Sequence, residues 1–349
     1  MIASSGRRIG RDTEPRAPAR AVPLVAIVGS TATGKSELAI CLAERHGGEV
    51  VSCDSTAVYR GFDIGTDKVL PAGRRGVPHH LIDVADPREV YSAARYATAA
   101  AAAILGVTHR GRLPILVGGT GLYYRALTRG LFPGPGRDAR LRARLTGLAR
   151  RYGVDRLHRV VRRVDPASAD RIQPRDEKRM VRALEVYFLT GRPLTAHFRE
   201  TRSPLTGYDI IGVGLWQASE TTAAKVARRV DAQFAAGLLD EIRGLRASGV
   251  PDAAPPFTGM VYRQALAFLK GAGDEASMRE EIVRANRRYA RRQLIWFRKE
   301  PNLHWIEVDD GPARTLEAAD RIVRERLDVM RPRPSVTTAA SATVSPGVQ

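Results

Sequence analysis

The sequence has little with which to cross-link itself. Among 349 residues there are two cysteines, Cys41 and Cys53. That is too few to staple a chain this long or to build a Cys-rich zinc site. A reducing, cytoplasmic compartment is the expectation that follows. Apolar runs are short as well: those at 97–105 and 113–117 fall far below the roughly 20 residues a bilayer span requires, so no membrane segment is expected. Lysine is scarce, supplying six of the 56 Lys+Arg residues. The rest are arginines, whose planar, permanently charged forks grip phosphate. Hydrophobic residues make up 44% and charged residues 27%, which excludes collagen-like, mucin-like and wholly disordered chains and leaves an ordinary globular protein. Its length suggests two domains.

Acidic residues are outnumbered. Asp+Glu total 37, so the formal net charge is +19 and the pI is near 10.7. The charge admits two readings: a polyanionic partner, most naturally nucleic acid, or a GC-rich codon bias with no partner. Residues 1–22 carry Arg, Pro, Gly and Ser without hydrophobic periodicity and read as a disordered basic arm with no secretory signal. The small-residue tail 333–349 has nothing to bury. Between them, apolar runs at 24–28, 49–53, 81–84 and 113–117 predict strands, alternating with helical spacing at 36–45 and 92–108. This predicts an α/β fold, a P-loop NTPase-like parallel sheet flanked by helices. Residues 138–205 change character, with Arg and Leu interleaved over four helical stretches, and read as an inserted all-helical domain. The core is expected over 23–137 and again over 206–332, with a strand at 209–216, long helices at 221–247 and 278–297, and a last strand at 304–308.

Gly29-Ser30-Thr31-Ala32-Thr33-Gly34-Lys35-Ser36 fits G-x-x-x-x-G-K-[ST], after an apolar run and before a helical pattern, as a phosphate loop requires. Its backbone N–H groups can cradle phosphate, Lys35 adds a mobile charge, Ser36 can hold Mg²⁺, and the helix dipole adds to both. From this composition a chance match has a probability of about 0.5%. The chain therefore binds a di- or triphosphate. A nucleoside triphosphatase would carry an Asp at the end of a second apolar strand. Here 113–117 runs into Gly118-Gly119-Thr120-Gly121 instead, and the carboxylate, Asp54, follows 49–53. This places the acceptor beside Asp54, the diphosphate in the loop, and Thr120 across a cleft at the strand ends.

Several blocks then resemble one family. Residues 54–68, Asp54-Ser55-Thr56-Ala57-Val58-Tyr59-Arg60-Gly61-Phe62-Asp63-Ile64-Gly65-Thr66-Asp67-Lys68, resemble the D-S-x-Q-[IV]-Y-[KR]-G-M-D-I-G-T-x-K block of tRNA dimethylallyltransferases. Pro78-His79-His80-Leu81-Ile82-Asp83 and Val117-Gly118-Gly119-Thr120-Gly121-Leu122-Tyr123 are similar to two further blocks. So are Arg182-Ala183-Leu184-Glu185-Val186, Gly237-Leu238-Leu239-Asp240-Glu241, Arg291-Arg292-Gln293-Leu294-Ile295-Trp296-Phe297-Arg298 and His304-Trp305-Ile306. They occur in order from about residue 24 to 308.

The resemblance implies transfer of a dimethylallyl group from its diphosphate to N6 of the adenosine 3′ of the anticodon, in tRNAs reading codons that begin with U. It implies that Asp54 is the general base, helped by Thr120. Residues Gly29 to Ser36 with Arg229 would hold the diphosphate, with Mg²⁺ on Ser36. Asp54, Ser55, Thr56, Ala57, Thr120, Arg142, Lys178, Arg179, Arg182, Tyr262 and Arg263 would meet tRNA, with the anticodon stem-loop as partner and a monomer as the working unit. Two positions depart from the pattern: Ala57 replaces the Gln of D-S-x-Q, and Val261 replaces the Gly of G-Y-[KR]-[EQ]. Tyr59 is left between stacking on the base and packing. His79 and His80 are expected to be a buried structural pair, and Trp216, Trp296 and Trp305 are expected in the core. Two other readings compete: an adenylate isopentenyltransferase acting on free nucleotide, and an ATP-driven RNA-binding P-loop protein.

Overall fold

The computed structural model describes residues 21–132, 134–308 and 311–330. The arm expected over 1–22, all but its last two residues, and the tail at 333–349 lie outside the described residues. The chain opens with strand β1 (Val22–Gly29), helix α1 (Lys35–His46) and strand β2 (Gly48–Ser52). There follow the short strand β3 (His79–His80), α2 (Ala93–His109), β4 (Leu113–Gly118) and α3 (Gly121–Thr128). Helices α4 (Ala139–Tyr152), α5 (Val154–Val164), α6 (Pro166–Arg171), α7 (Glu177–Thr190) and α8 (Leu194–Phe198) form the insert. Strand β5 (Tyr208–Trp216), α9 (Ser219–Ala235), α10 (Leu238–Ala247), α11 (Met260–Leu269), α12 (Glu275–Phe297), β6 (Leu303–Glu307) and α13 (Pro312–Met330) complete the chain.

The six strands form one parallel sheet in the order β3-β2-β4-β1-β5-β6. Alternation along β1 shows why its apolar run is continuous. Leu24, Ala26 and Val28 enter one core, with residues of α2, α3 and α9–α12. Val25 and Ile27 enter another, beneath α1 and α13. A strand buried on both faces needs no polar alternation. The insert closes on a third core of its own, including Leu145, Leu157, Val161, Met180 and Leu184. Asp138 and Asp176 cap α4 and α7 by accepting from Leu141 N (2.7 Å) and Arg179 N (3.1 Å).

Two sequence expectations are corrected. The run 81–84 is not a strand, because pairing ends at His80 and both Leu81 and Asp83 take left-handed backbone angles (φ 62° and 59°). The segment instead turns over the chain that follows Asp54. Asp83 N donates to Ala57 O (3.1 Å), and the Asp83 carboxylate accepts from buried Lys68 (2.6 Å). The helix read over 221–247 is two helices, α9 and α10, broken where Gly237 adopts φ 92°.

Candidate active site

The C-terminal ends of β1, β2 and β4 open into a cavity of about 510 Å³. Its walls include Thr31, Gly34, Lys35 and Ser36 of the phosphate loop, Asp54–Ala57, Gly65–Val69, Arg229, Met260–Tyr262, and Asn286, Tyr289 and Gln293 of α12. Open parallel sheets bind ligands at such strand ends. The loop is tightly built. Gly29 (φ 147°) lies so close to β5 that a Cβ there would sit 2.2 Å from Leu215 O. Gly34 caps α1 in the left-handed region (φ 78°). Buried Thr33 donates its hydroxyl to Ser30 O (2.8 Å), and Lys35 Nζ donates to the same carbonyl. Burial, with Arg229 second, pushes the Lys35 amine down to about 7, against an opposing pull from Asp54.

Arg229, half-buried on α9, reaches the loop from across the cavity. Its Nη1 donates to Thr31 Oγ1 (2.7 Å) and pairs with Asp67 Oδ2 (3.1 Å). Gln233, one turn later, donates to the same Asp67 oxygen (3.0 Å). Sequence reasoning singled out neither Asp67 nor Gln233.

Asp54 sits just beyond β2 with its two oxygens in different situations. Oδ1 accepts from Thr56 N (2.7 Å), Thr56 Oγ1 (2.6 Å) and Ala57 N (3.2 Å). These bonds fix the plane of the carboxylate; among the described residues Oδ2 accepts no hydrogen bond, which leaves it able to take a proton. Thr120 acts on the neighbouring backbone: its Oγ1 accepts from Ser55 N (3.0 Å). Gln293, buried on α12, accepts from Thr31 N (2.8 Å) and donates to Gly119 O (2.9 Å), so it bolts the phosphate loop to the Gly-Gly turn. A Cβ at Gly119 would lie 2.1 Å from its Nε2.

The structure separates the residues expected to meet RNA. Lys178, Arg179 and Arg263 are exposed, with Arg179 in a surface pair with Asp176 (3.2 Å). Arg142 and Arg182 are not free: both pair with the fully buried carboxylate of Glu185, at 2.7 and 2.6 Å. Burial works to raise Glu185, but bonds from the two guanidinium groups and Asp138 N outweigh it and hold the carboxyl at about 2. Tyr262 is buried. Its hydroxyl donates to Glu241 Oε1 (2.6 Å) and accepts from Gly65 N (3.0 Å), while Glu241 Oε2 accepts from Asp63 N and Ile64 N (2.9 and 2.7 Å). Its hydroxyl therefore anchors a cavity wall. Val261 is buried in the first turn of α11. Tyr59 is core, with its hydroxyl taken by Tyr91 N (3.1 Å), which rules out the stacking role. His80 pairs with Glu49 (2.7 Å) and His79 with Val77 O (2.8 Å), both half-buried. Trp296 and Trp305 pack partly buried against the main core.

The IPP transferase family model matches residues 57–300, and an isopentenyl transferase model matches residues 22–83. The tRNA dimethylallyltransferase of Solibacter usitatus is 46% identical over 308 residues, 87% of this chain and 99% of that one. This chain belongs to the IPP transferase family. Its relative from Halorhodospira halophila, also a tRNA dimethylallyltransferase, is 47% identical over 82% of this chain and 94% of its own. Among solved structures, the tRNA isopentenylpyrophosphate transferase of Bacillus halodurans superposes with a TM-score of 0.66 at 36% identity, covering 88% of this chain and 97% of that one. A eukaryotic dimethylallyltransferase acting on tRNA superposes at 0.71 with 26% identity, covering 90% and 81%. The IPP transferase sheet, its phosphate loop and its strand-end aspartate therefore share one cavity in this chain.

Proposed function

We propose that this chain is a tRNA dimethylallyltransferase. It moves the dimethylallyl group from its diphosphate to N6 of the adenosine 3′ of the anticodon, in tRNAs reading codons that begin with U. The observation that carries the reading is the shared cavity of Lys35 and Asp54: a cation at the donor end and a carboxylate with one uncommitted oxygen at the acceptor end. As the N6–carbon bond forms and the carbon–oxygen bond of the donor breaks, Asp54 Oδ2 accepts the N6 proton. Lys35, Arg229 and the loop's backbone N–H groups other than that of Thr31, which Gln293 holds, bind the departing diphosphate. Gln293 keeps that loop in register with the Gly-Gly turn. Thr120 holds the strap carrying Asp54.

A divalent cation fits these residues. Ser36 is exposed in the first turn of α1 and lines the cavity together with the carboxylates Asp54 and Asp67. A few hard oxygen donors beside a site for substrate phosphates suit Mg²⁺, which keeps several waters. Bound there, it would neutralise charge on the leaving diphosphate. On the RNA side, Lys178, Arg179 and Arg263 carry the phosphate contacts, which fix position without reading sequence. In this reading the protein works as a cytoplasmic monomer on the anticodon stem-loop. No helix among the described residues is long and apolar enough to cross a membrane.

The identity and coverage of the tRNA dimethylallyltransferase relatives favour tRNA over free nucleotide. Incubation with labelled dimethylallyl diphosphate and either tRNA or AMP tests the choice. Label is expected in tRNA, and label in AMP alone overturns the proposal.

A further inference from the structure

The cavity wall formed by residues 63–68 is held along its length. Glu241 Oε2 accepts from Asp63 N and Ile64 N (2.9 and 2.7 Å), and the Tyr262 hydroxyl accepts from Gly65 N (3.0 Å). Buried Lys68 Nζ donates to Tyr59 O (2.7 Å) and to Asp63 Oδ1 (2.6 Å). Within this fixed segment Asp67 takes a left-handed backbone (φ 50°), which Asp tolerates better than most side chains. Its carboxylate meets α9 at two positions one turn apart. Oδ2 pairs with Arg229 Nη1 (3.1 Å) and accepts from Gln233 Nε2 (3.0 Å). Gln233 is buried, so that end of the contact is fixed.

The same Arg229 nitrogen donates to Thr31 Oγ1 of the phosphate loop (2.7 Å). The guanidinium therefore sits between a loop hydroxyl and a carboxylate, and among the described residues its Nε and Nη2 make no hydrogen bond. Arg229 also stands close enough to Lys35 to push that amine down. Two cations brought together repel, and a half-buried guanidinium with no counter-charge would turn toward water. The dependence is mutual: burial works to raise the Asp67 carboxyl, and Arg229 is the foremost influence against that rise, ahead of Gln233. We propose that Asp67 is a positioning residue for donor binding, its carboxylate holding the Arg229 guanidinium against the phosphate loop before the diphosphate arrives. The inference rests on the transferase reading above. The family block D-I-G-T-x-K leaves position 67 open, so the resemblance gives this carboxylate no role. Two effects of opposite sign meet there. The charge of Asp67 repels an incoming diphosphate, but the ion pair arranges beforehand the cation that grips it, which saves the cost of ordering a long side chain on binding. The second effect is the larger, because carboxylate and guanidinium are in contact and the pair acts on the loop as a dipole rather than as a bare anion.

Asp67→Gly removes the carboxylate and leaves the left-handed backbone unstrained. Asp67→Asn keeps an acceptor for Gln233 and removes only the charge. Donor binding is read by titration calorimetry with an unreactive thio-analogue of dimethylallyl diphosphate at constant Mg²⁺, and transfer by labelling of tRNA. Asp67→Gly is expected to weaken analogue binding and raise the KM for the donor about 10-fold, the worth of one hydrogen bond to a charged group. Asp67→Asn should do so about threefold, since a neutral acceptor holds the guanidinium less firmly. The KM for tRNA should stay within about twofold, and the Tm of the Asn variant near wild type. In the Arg229→Ala background Asp67→Gly should cost nothing further, because the carboxylate acts through the guanidinium alone. Tighter or unchanged analogue binding in Asp67→Gly would leave the carboxylate only a repelling charge. Additive losses in the double variant would tie it to the metal or to the wall instead. Either result overturns the inference. Failure of the wild-type protein to label tRNA, although it binds the analogue, removes the transferase reading instead.

Discussion

Lys35 ties donor binding to pH in a way that can be worked out beforehand. Burial and Arg229 hold its amine at about 7. A diphosphate in the loop sets negative charge against the amine and draws its pKa back up, so binding takes up a proton. The protonated form is the one that binds. Affinity is therefore full below about 7 and is lost as pH rises above it. With a pKa of 7 in the free protein and the bound amine charged throughout, the protonated fraction falls from about a quarter at pH 7.5 to about one in a hundred at pH 9. Donor affinity should drop about 25-fold over that interval, or about 1.9 kcal/mol. The last proton of a terminal phosphate titrates near about pH 6, below the interval from pH 7.5 to 9, so the window belongs to the lysine. Titration calorimetry with an unreactive thio-analogue of dimethylallyl diphosphate, at constant Mg²⁺ and in buffers of differing ionisation enthalpy, should show uptake rising from about 0.8 to about 1 proton per site. Lys35→Arg, whose charge is fixed, should bind with a flat profile. A flat wild-type profile, or an arginine variant with the wild-type slope, would refute the reasoning.

Three other outcomes follow from the same geometry. Asp54→Asn should slow transfer about 10²- to 10⁴-fold while leaving tRNA affinity near wild type in a filter-binding assay; normal turnover would remove Asp54 from the reaction. Glu185→Gln should lower the stability of the insert by up to about 3 kcal/mol at neutral pH, because it weakens a buried ion pair. Glu185 is held at about 2, so its contribution is present above the ordinary carboxylate range and lost as pH falls toward 2. Wild-type and variant denaturation curves should therefore converge over that acid interval, and a gap that persists at pH 2 would contradict the assignment. Reversing charge at Lys178 and Arg179 should flatten the log–log salt dependence of tRNA binding by about 0.7–0.9 per lost phosphate contact; parallel slopes would make both an ordinary solvated helix face.

Some of this protein was legible without coordinates because its signals are local. The phosphate loop is eight consecutive residues after a strand, and Asp54 is the residue that ends the neighbouring apolar run. Strand–helix alternation then fixes where both come to lie, since parallel strands deliver their C-terminal ends to one edge. Local reading failed where backbone angles overrode an apolar pattern, as at 81–84, where a left-handed Leu81 and Asp83 turn the chain. It failed again at 221–247, where one glycine splits a continuous amphipathic stretch into two helices.

Long-range partners were out of its reach for a different reason. An arginine on a helix has the same spacing whether it faces RNA phosphate or a buried carboxylate; only packing α4 against α7 commits Arg142 and Arg182 to Glu185. The partner of the Tyr262 hydroxyl, Glu241 on another helix, is likewise invisible to local reading. Gln293 stands more than 170 residues beyond the chain it touches at Gly119. The sequence alone determined which residues can do the chemistry, because functional groups and their local spacing are written in it. The tertiary structure decided which of those groups are free to act, because a side chain's availability depends on neighbours brought to it only by folding.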